Sequence, residues 1–280
     1  MKQFLLRLLR RMGIYHPLQS FYRSCIFYTQ RFYLRLQFKS FAGSGYTCNV
    51  CGHSYLKFKE DEPAHENVHA IRKWNVIAGY GKNIICPYCM SHARERLVLQ
   101  VLKEKMDITD WHVLHLSPEK NLYTFLAQRS RVTAADIQPG FYHHITKGVE
   151  KQDATQLTYP DNTFDLMIAN HVLEHIPEDE QAMREFFRVL KPGARAILQV
   201  PYSDELEDIQ EQMEINDPEM QSRLFGQKDH VRVYSCNGYM KRLTNAGFEV
   251  RFVPYEHLSQ WYVYAIQAQE GFFEIQKPVI

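Results

Sequence analysis

Three groups of residues in this chain of 280 have types and spacings that can do chemistry. Cys48-Asn49-Val50-Cys51 and Cys86-Pro87-Tyr88-Cys89 are two C-x-x-C pairs separated by residues 52–85. Together they offer four thiolates, the donor set of a closed tetrahedral zinc site, whose contribution is to folding because no coordination position stays open. Reduced core cysteines, an iron–sulfur cluster or a redox pair are the other readings of the same residues. His53, His65 and His69 lie near the pairs and are read as non-ligands. The second group is Asn170, His171, Glu174 and His175, which follow the apolar run Phe164–Ala169. Polar residues at the tip of a buried strand are how open α/β sheets line a crevice. The third is Asp229-His230-Val231-Arg232-Val233-Tyr234, which offers a base, its orienting carboxylate and a cation. A histidine titrating near neutrality suits proton removal from a hydroxyl, so His230 is the candidate base and Asp229 its partner. The structural alternative is a buried Asp229–Arg232 network.

Elements that alternate in type must hold these residues. A helix from near Ser91 to Met106, with Leu97, Val101 and Leu102 inward, joins the cysteine module to the main domain. Val113–Leu116 is a short strand. Ser117-Pro118-Glu119 reads as the cap and first two positions of a helix reaching about Gln128. Strands come next at Arg131–Ala135, near Ile145–Val149 and at Phe164–Ala169. Met183, Phe186, Phe187 and Leu190 predict a helix over Pro177–Leu190, stopped by Gly193. Ala194–Val200 is a strand, Asn237–Ala246 a helix capped by Gly247, and Phe248–Val253 and Trp261–Gln267 two last strands. Such alternation implies a mostly parallel sheet covered on both faces. The acidic stretch Asp204–Glu219 reads as a lid.

Composition is that of a globular protein, 45% hydrophobic and 23% charged, with net charge +1. No whole-chain field directs it to nucleic acid or membrane. The charge is uneven, however, and the first acidic residue is Glu60. Residues 1–42 form a basic, aromatic arm. Phe4, Leu5, Leu8, Leu9 and Met12 share one helical face, opposite Arg7, Arg10 and Arg11. A packed helix pair, a membrane-surface anchor and an RNA-contacting arm all fit; a cleaved presequence fits the Arg-rich start but not the aromatics. The arginines break any secretory signal, and no apolar run approaches the ~20 residues of a membrane span. The expected location is cytoplasmic, peripheral at the inner membrane face.

The stretch FDLMIANHVLEHIPEDEQAMREFFRVLKPG, residues 164–193, resembles class I S-adenosylmethionine (SAM)-dependent methyltransferases of the type 11-like group. Those carry FD-hydrophobic-N-x-V-L-E-H-I-x-D and then R-V-L-K-P-G-G. CPYCMSHARERL, residues 86–97, is similar to the zinc ribbons ahead of some such domains, with Met90 where a glycine usually stands. The resemblance implies a Rossmann-like, seven-stranded, mostly parallel sheet with helices on both faces. A small zinc ribbon and a basic helical arm would precede it. The implied division is 1–42 arm, 43–91 ribbon, 92–110 connecting helix and 111–280 methyltransferase domain. The implied cofactors are SAM and structural Zn2+, the latter on Cys48, Cys51, Cys86 and Cys89.

The family's acid-x-G-x-G-x-G loop is here His115-Leu116-Ser117-Pro118-Glu119-Lys120-Asn121, without glycine. It resembles an H-x-x-P-E variant. His115, Ser117 and Glu119 are then the candidates for the amino acid end of SAM, with helix N–H groups after Pro118. Asp136 would hold the ribose, Asp153 and Ala154 the adenine, and Asn170 the cofactor beside the transferred methyl. His171, His230 and Asp229 are the implied catalytic residues, and Arg94, His175, Arg232 and Tyr234 the acceptor contacts. The implied function is methyl transfer to an oxygen of a sugar, lipid-linked glycan or small metabolite, with residues 1–42 at a membrane surface. The alternatives are an rRNA methyltransferase, disfavoured because the domain is not basic, and a non-catalytic zinc-stabilised binding protein with a degenerate SAM site. Oligomeric state is not legible.

Overall fold

The computed structural model describes residues 15–279. The expected amphipathic face at Phe4–Met12 lies outside them. Helix α1 (Tyr15–Gln37) leads into a small ribbon: β1 (Ala42–Thr47) pairs with β2 (Ser54–Tyr55), and β3 (Lys59–Asp61) with β4 (Gly81–Ile85), both antiparallel. A short helix, α2 (Val68–Lys73), sits in the spacer between the cysteine pairs, so the spacer carries both a hairpin and a helix. Helix α3 (Ala93–Lys105) comes next, with Leu97, Val101 and Leu102 buried.

The main domain then alternates. Its elements are β5 (His112–Leu116), α4 (Lys120–Ala127), β6 (Arg131–Asp136), β7 (Glu150–Lys151), β8 (Phe164–Ile168), α5 (Asp179–Val189) and β9 (Leu190–Ile197). Beyond these come β10 (Tyr202–Ser203), β11 (Gln210–Glu211), α6 (Pro218–Phe225), β12 (Arg232–Ser235), α7 (Cys236–Asn245), β13 (Glu249–Val253) and β14 (Phe272–Gln276). The seven-stranded sheet has the order β13-β14-β9-β8-β5-β6-β7. Its five strands from β9 to β7 are parallel, and β14 runs antiparallel to both neighbours. Successive side chains of a strand point to opposite faces, and the core divides accordingly. Leu114, Leu116 and Met167 join Phe186, Tyr239 and Phe273 on one side. Val113, Leu166 and Ile168 join Leu97, Val101 and Trp261 on the other.

Four expected elements differ. Trp261–Gln267 is not a strand: residues Tyr255–Tyr264 form 3-10 turns, and β14 closes the sheet instead. Trp261 is buried with its Nε1 donating to Glu104 Oε2 at 2.8 Å, an anchor whose apolar neighbours mimic strand alternation. The third strand sits at Glu150–Lys151, after Ile145–Val149. Gly193 does not stop α5. The helix ends at Val189 and β9 starts at once, with Gly193 (φ 79°) at an irregularity in the β8–β9 register. The acidic stretch is not a lid, since Gln210–Glu211 pairs with β12 and Asp217 caps α6.

Candidate functional site

Strands β5 and β8 are parallel neighbours from which the sheet grows in opposite directions, so a crevice opens at their C-terminal ends. A cleft of ≈ 500 Å³ occupies it, lined by Ser117, Asp136, Tyr142, Asp153, Ala154 and His171, with His175 and Asp229 at one end. Hollows of ≈ 490 and ≈ 700 Å³ lie at the sheet edge and beside the ribbon hairpin, away from the strand tips.

The loop after β5 solves its lack of glycine locally. Ser117 adopts φ 48°, the left-handed conformation that favours glycine. Its Oγ donates to Asp136 Oδ2 at 2.7 Å, bonding the turn to the tip of β6. Ser117 is therefore not a helix cap. Helix α4 starts only at Lys120, and the N-cap, Glu119, makes no side-chain cap bond. Its carboxylate is engaged elsewhere: Oε1 accepts from Arg94 Nε at 2.8 Å and Oε2 from Asn170 Nδ2 at 2.8 Å. Burial disfavours charge on Glu119, but Arg94 and Asn170 outweigh it and hold the carboxyl below its ordinary range. Arg94, expected toward the acceptor, thus reaches from α3 into the first loop. His115 is buried beneath that loop with Nε2 3.4 Å from the Glu119 N–H, and burial pushes it down to about 4. It supports the turn and does not line the cleft.

Asp136 ends β6 in the cleft, and its Oδ1 accepts from Gln138 N at 2.6 Å. Asp153 accepts from Thr155 N and Oγ1 at 2.9 and 2.7 Å, which leaves Oδ2 toward solvent. Ile137, Phe141 and Tyr142 add an apolar wall beside Asp136. Sequence reasoning missed that wall; its only signal is the aromatic pair after Gln138-Pro139-Gly140.

At the other end, His171 lines the cleft at φ 52°, and burial, followed by Arg94, keeps its imidazole well below the ordinary value. Asn170 is buried behind it, facing Glu119. His175 lies 3.5 Å from Asp229, Nδ1 to Oδ1. His230 is buried behind His175 and absent from the lining; burial, then His175, pushes it down to about 3. Such a group is a weak base, and Asp229 meets His175 rather than His230, which corrects the expected base and its partner. Arg232 and Tyr234 are fully buried as well. Arg232 donates to Glu211 Oε2 at 3.0 Å and to the carbonyls of Leu173, Ile176 and Pro177. Tyr234 donates to Asp179 Oδ2 at 2.6 Å. Both position the 173–177 turn and neither faces the cleft.

The four expected metal ligands converge. Cys48 and Cys89 Sγ are 3.6 Å apart, Cys51 and Cys86 Sγ 3.8 Å, with all four within 4.8 Å. Thiolates at ~2.3 Å on one tetrahedral zinc would be ~3.8 Å apart, so the set fits that ion. His53 instead stacks on Tyr88 at 3.3 Å.

Residues 118–198 match the family described as Methyltransferase domain. This segment contains the end of the first loop from Pro118, Asp136, Asp153 and the β8 tip. Over 122 residues the chain is 31% identical to the ubiquinone/menaquinone biosynthesis C-methyltransferase UbiE of Pasteurella multocida (strain Pm70), covering 38% of this chain and 44% of that protein. Over 49 residues it is 43% identical to the demethylmenaquinone methyltransferase of Lactiplantibacillus plantarum, covering 18% and 21%. The chain spans less than half the length of either relative. An S-adenosylmethionine-dependent methyltransferase structure from Mesorhizobium loti is similar over 65% of this chain and 95% of that chain, at 12% identity and a TM-score of 0.46.

Proposed function

We propose that this protein is a SAM-dependent methyltransferase stabilised by a four-cysteine zinc centre. One observation carries the reading: a cleft at the point where the sheet order reverses, with Asp136 at the end of β6 facing it. SAM supplies an electrophilic methyl on a sulfonium. Asp136 accepts from the ribose hydroxyls, and the wall of Ile137, Phe141 and Tyr142 covers a flat ring, with Asp153 and Ala154 at its edge. Glu119, held by Arg94 and Asn170, braces the first loop from behind, and Ser117 of that loop lines the cleft where the amino acid end would lie. Methyl transfer is one in-line displacement, in which the protein chiefly orients nucleophile and sulfonium. His171, His175 and Asp229 are the groups placed to orient an acceptor.

The acceptor we favour is an oxygen of a sugar, lipid-linked glycan or small metabolite. The uneven charge of the chain and the outer face of α1 favour an acceptor presented at a membrane surface. Calorimetry with SAM tests the cofactor. Binding by the intact protein is expected, with Asp136→Ala weakening it about 10- to 100-fold, the loss of one charged hydrogen bond of ~1.5–3 kcal/mol. No binding by the wild-type protein would leave a non-catalytic zinc protein as the reading. Labelled SAM offered with lipid, glycan and RNA extracts then assigns the acceptor; label in RNA alone would replace the glycan reading.

A further inference from the structure

Glu174 lies at the floor of the acceptor end with no accessible surface, and among the described residues neither of its carboxylate oxygens has a hydrogen-bond partner. A buried carboxylate in that state is costly unless a cation or a proton meets it. Three imidazoles surround it. His171 Nδ1 is 3.5 Å and His175 Nε2 4.0 Å from Glu174 Oε1. The His230 ring stands edge-on to that of His175, with centroids 4.7 Å apart, and its buried Nδ1 likewise has no hydrogen-bond partner among the described residues. One ligand atom each from Glu174, His175 and His230 lies within 4.8 Å of the others. The 4.0 Å between His175 Nε2 and Glu174 Oε1 is too long for a direct hydrogen bond. Two donors at ~2.0–2.1 Å on a tetrahedral centre are ~3.3 Å apart, so these side chains would draw together by roughly 1 Å to share an ion.

We infer that Glu174, His175 and His230 form a second metal site, separate from the cysteine centre, for a first-row transition-metal dication such as Zn2+. Two imidazole nitrogens and one carboxylate are the donors such ions take, in contrast to the oxygen cages of Ca2+ or Mg2+. The surroundings of His175 fit the role. Its Nδ1 faces the Asp229 carbonyl at 3.2 Å and the Asp229 carboxylate at 3.5 Å, while its Nε2 faces Glu174. A metal-bound imidazole characteristically gives its other nitrogen to such an oxygen, which fixes the ring. Arg232 holds the backbone of the same turn through the carbonyls of Leu173, Ile176 and Pro177, so the donors are held in place by a network of their own. Of the three donors, His175 lines the cleft together with His171. An oxygen of the acceptor would bind there as a ligand, a consequence that rests on the methyltransferase reading, whereas the metal site itself does not.

Zinc counting on the full-length protein tests the site. After equilibration with Zn2+ and removal of free ion, two zinc ions per chain are expected in the wild type. One is expected in the near-isosteric Glu174→Gln and in His230→Gln, each confirmed as folded by circular dichroism. Should Glu174→Gln fail to fold, His230→Gln and His175→Gln decide. Equal zinc content in the wild type and every folded variant would overturn the site. In a second arm, Co2+ is added to wild-type protein whose cysteine centre retains zinc. A d–d spectrum without thiolate charge transfer, lost in the variants, supports the site; no added absorption, or a thiolate-type spectrum alone, overturns it. SAM calorimetry on the wild type is unaffected by either result, so failure here and failure of the methyltransferase reading are distinguishable.

Discussion

Glu270 is a carboxylate with almost no exposed surface, and among the described residues its Oε2 has no hydrogen-bond partner. Burial pushes its carboxyl up to about 7, against the opposing pull of Arg94. In the unfolded chain the group loses its proton near its ordinary value, 4.5, while the folded chain holds it to about 7. Its contribution to stability is therefore complete below pH ~4.5, falls as pH rises toward ~7 and is lost above, by about 3 kcal/mol in all. Glu270→Gln should thus melt progressively higher relative to wild type as pH is raised from 4.5 to 8. Parallel melting curves across that range would contradict the assignment. None of this is visible in the sequence, where Glu270 is one acid among many. The four cysteines, Asp136, Asp153 and the tip of β8 were legible because each is set by local chemistry: paired thiols, an acid closing an apolar run, polar residues ending a buried one. Arg232 and His230 were not. Arg232 binds a row of carbonyls about sixty residues earlier, and the turn they belong to buries His230.

At the level of elements, α1 shows both what periodicity reveals and what it leaves out. Leu34 and the adjoining Phe38 are buried in the ribbon core, Arg31 and Arg35 donate to the Tyr88 carbonyl at 2.8 and 3.1 Å, and Arg35 lies 3.6 Å over the Tyr88 ring. The opposite face exposes Tyr22, Ile26, Phe32, Tyr33 and Leu36. An apolar face of this size on a basic segment suits a membrane interface. No helix among the described residues is long and apolar enough to cross a membrane. The triple change Tyr22→Ser, Phe32→Ser, Tyr33→Ser leaves the docking face intact. It should reduce sedimentation with anionic vesicles at least ~10-fold, given ~1.5–3 kcal/mol for each large apolar side chain buried; undiminished sedimentation would reject the anchor. The strands and helices around the crevice were legible in the sequence, since apolar period and burial coincide there. Besides the displaced third strand, the acidic stretch and the late start of the helix after Ser117, the misreadings fall at Gly193 and Trp261. A positive-φ glycine serves a strand irregularity as well as a helix end, and a buried tryptophan in a 3-10 turn resembles a strand residue.

For the molecule as a whole, the ribbon is built into the crevice. Asn49 Nδ2 donates to the Arg96 carbonyl at 2.9 Å. Arg96 itself is fully buried and donates to carbonyls of the ribbon (Asn83, Ile84, Ser91) and of the C-terminal segment (Tyr264, Ala265). Two residues away, Arg94 grips Glu119 of the first loop. Since structural zinc can contribute ~10–16 kcal/mol to folding its module, stripping metal with a chelator should lower both the melting temperature and the affinity for SAM. Unchanged SAM affinity in the metal-free protein would show that the two parts act independently. The same connection makes the short path from Cys89 to Arg94 a ruler. Helix α3 starts at Ala93, and each residue along it advances the side chain by ~100°. An insertion of one residue after Arg94, inside the helix, would spare all four thiols and the packing of Leu97–Leu102 yet swing Arg94 out of phase with Glu119. In this chain the length of that connection, independent of its wording, constrains which insertions and deletions the two modules can accept together.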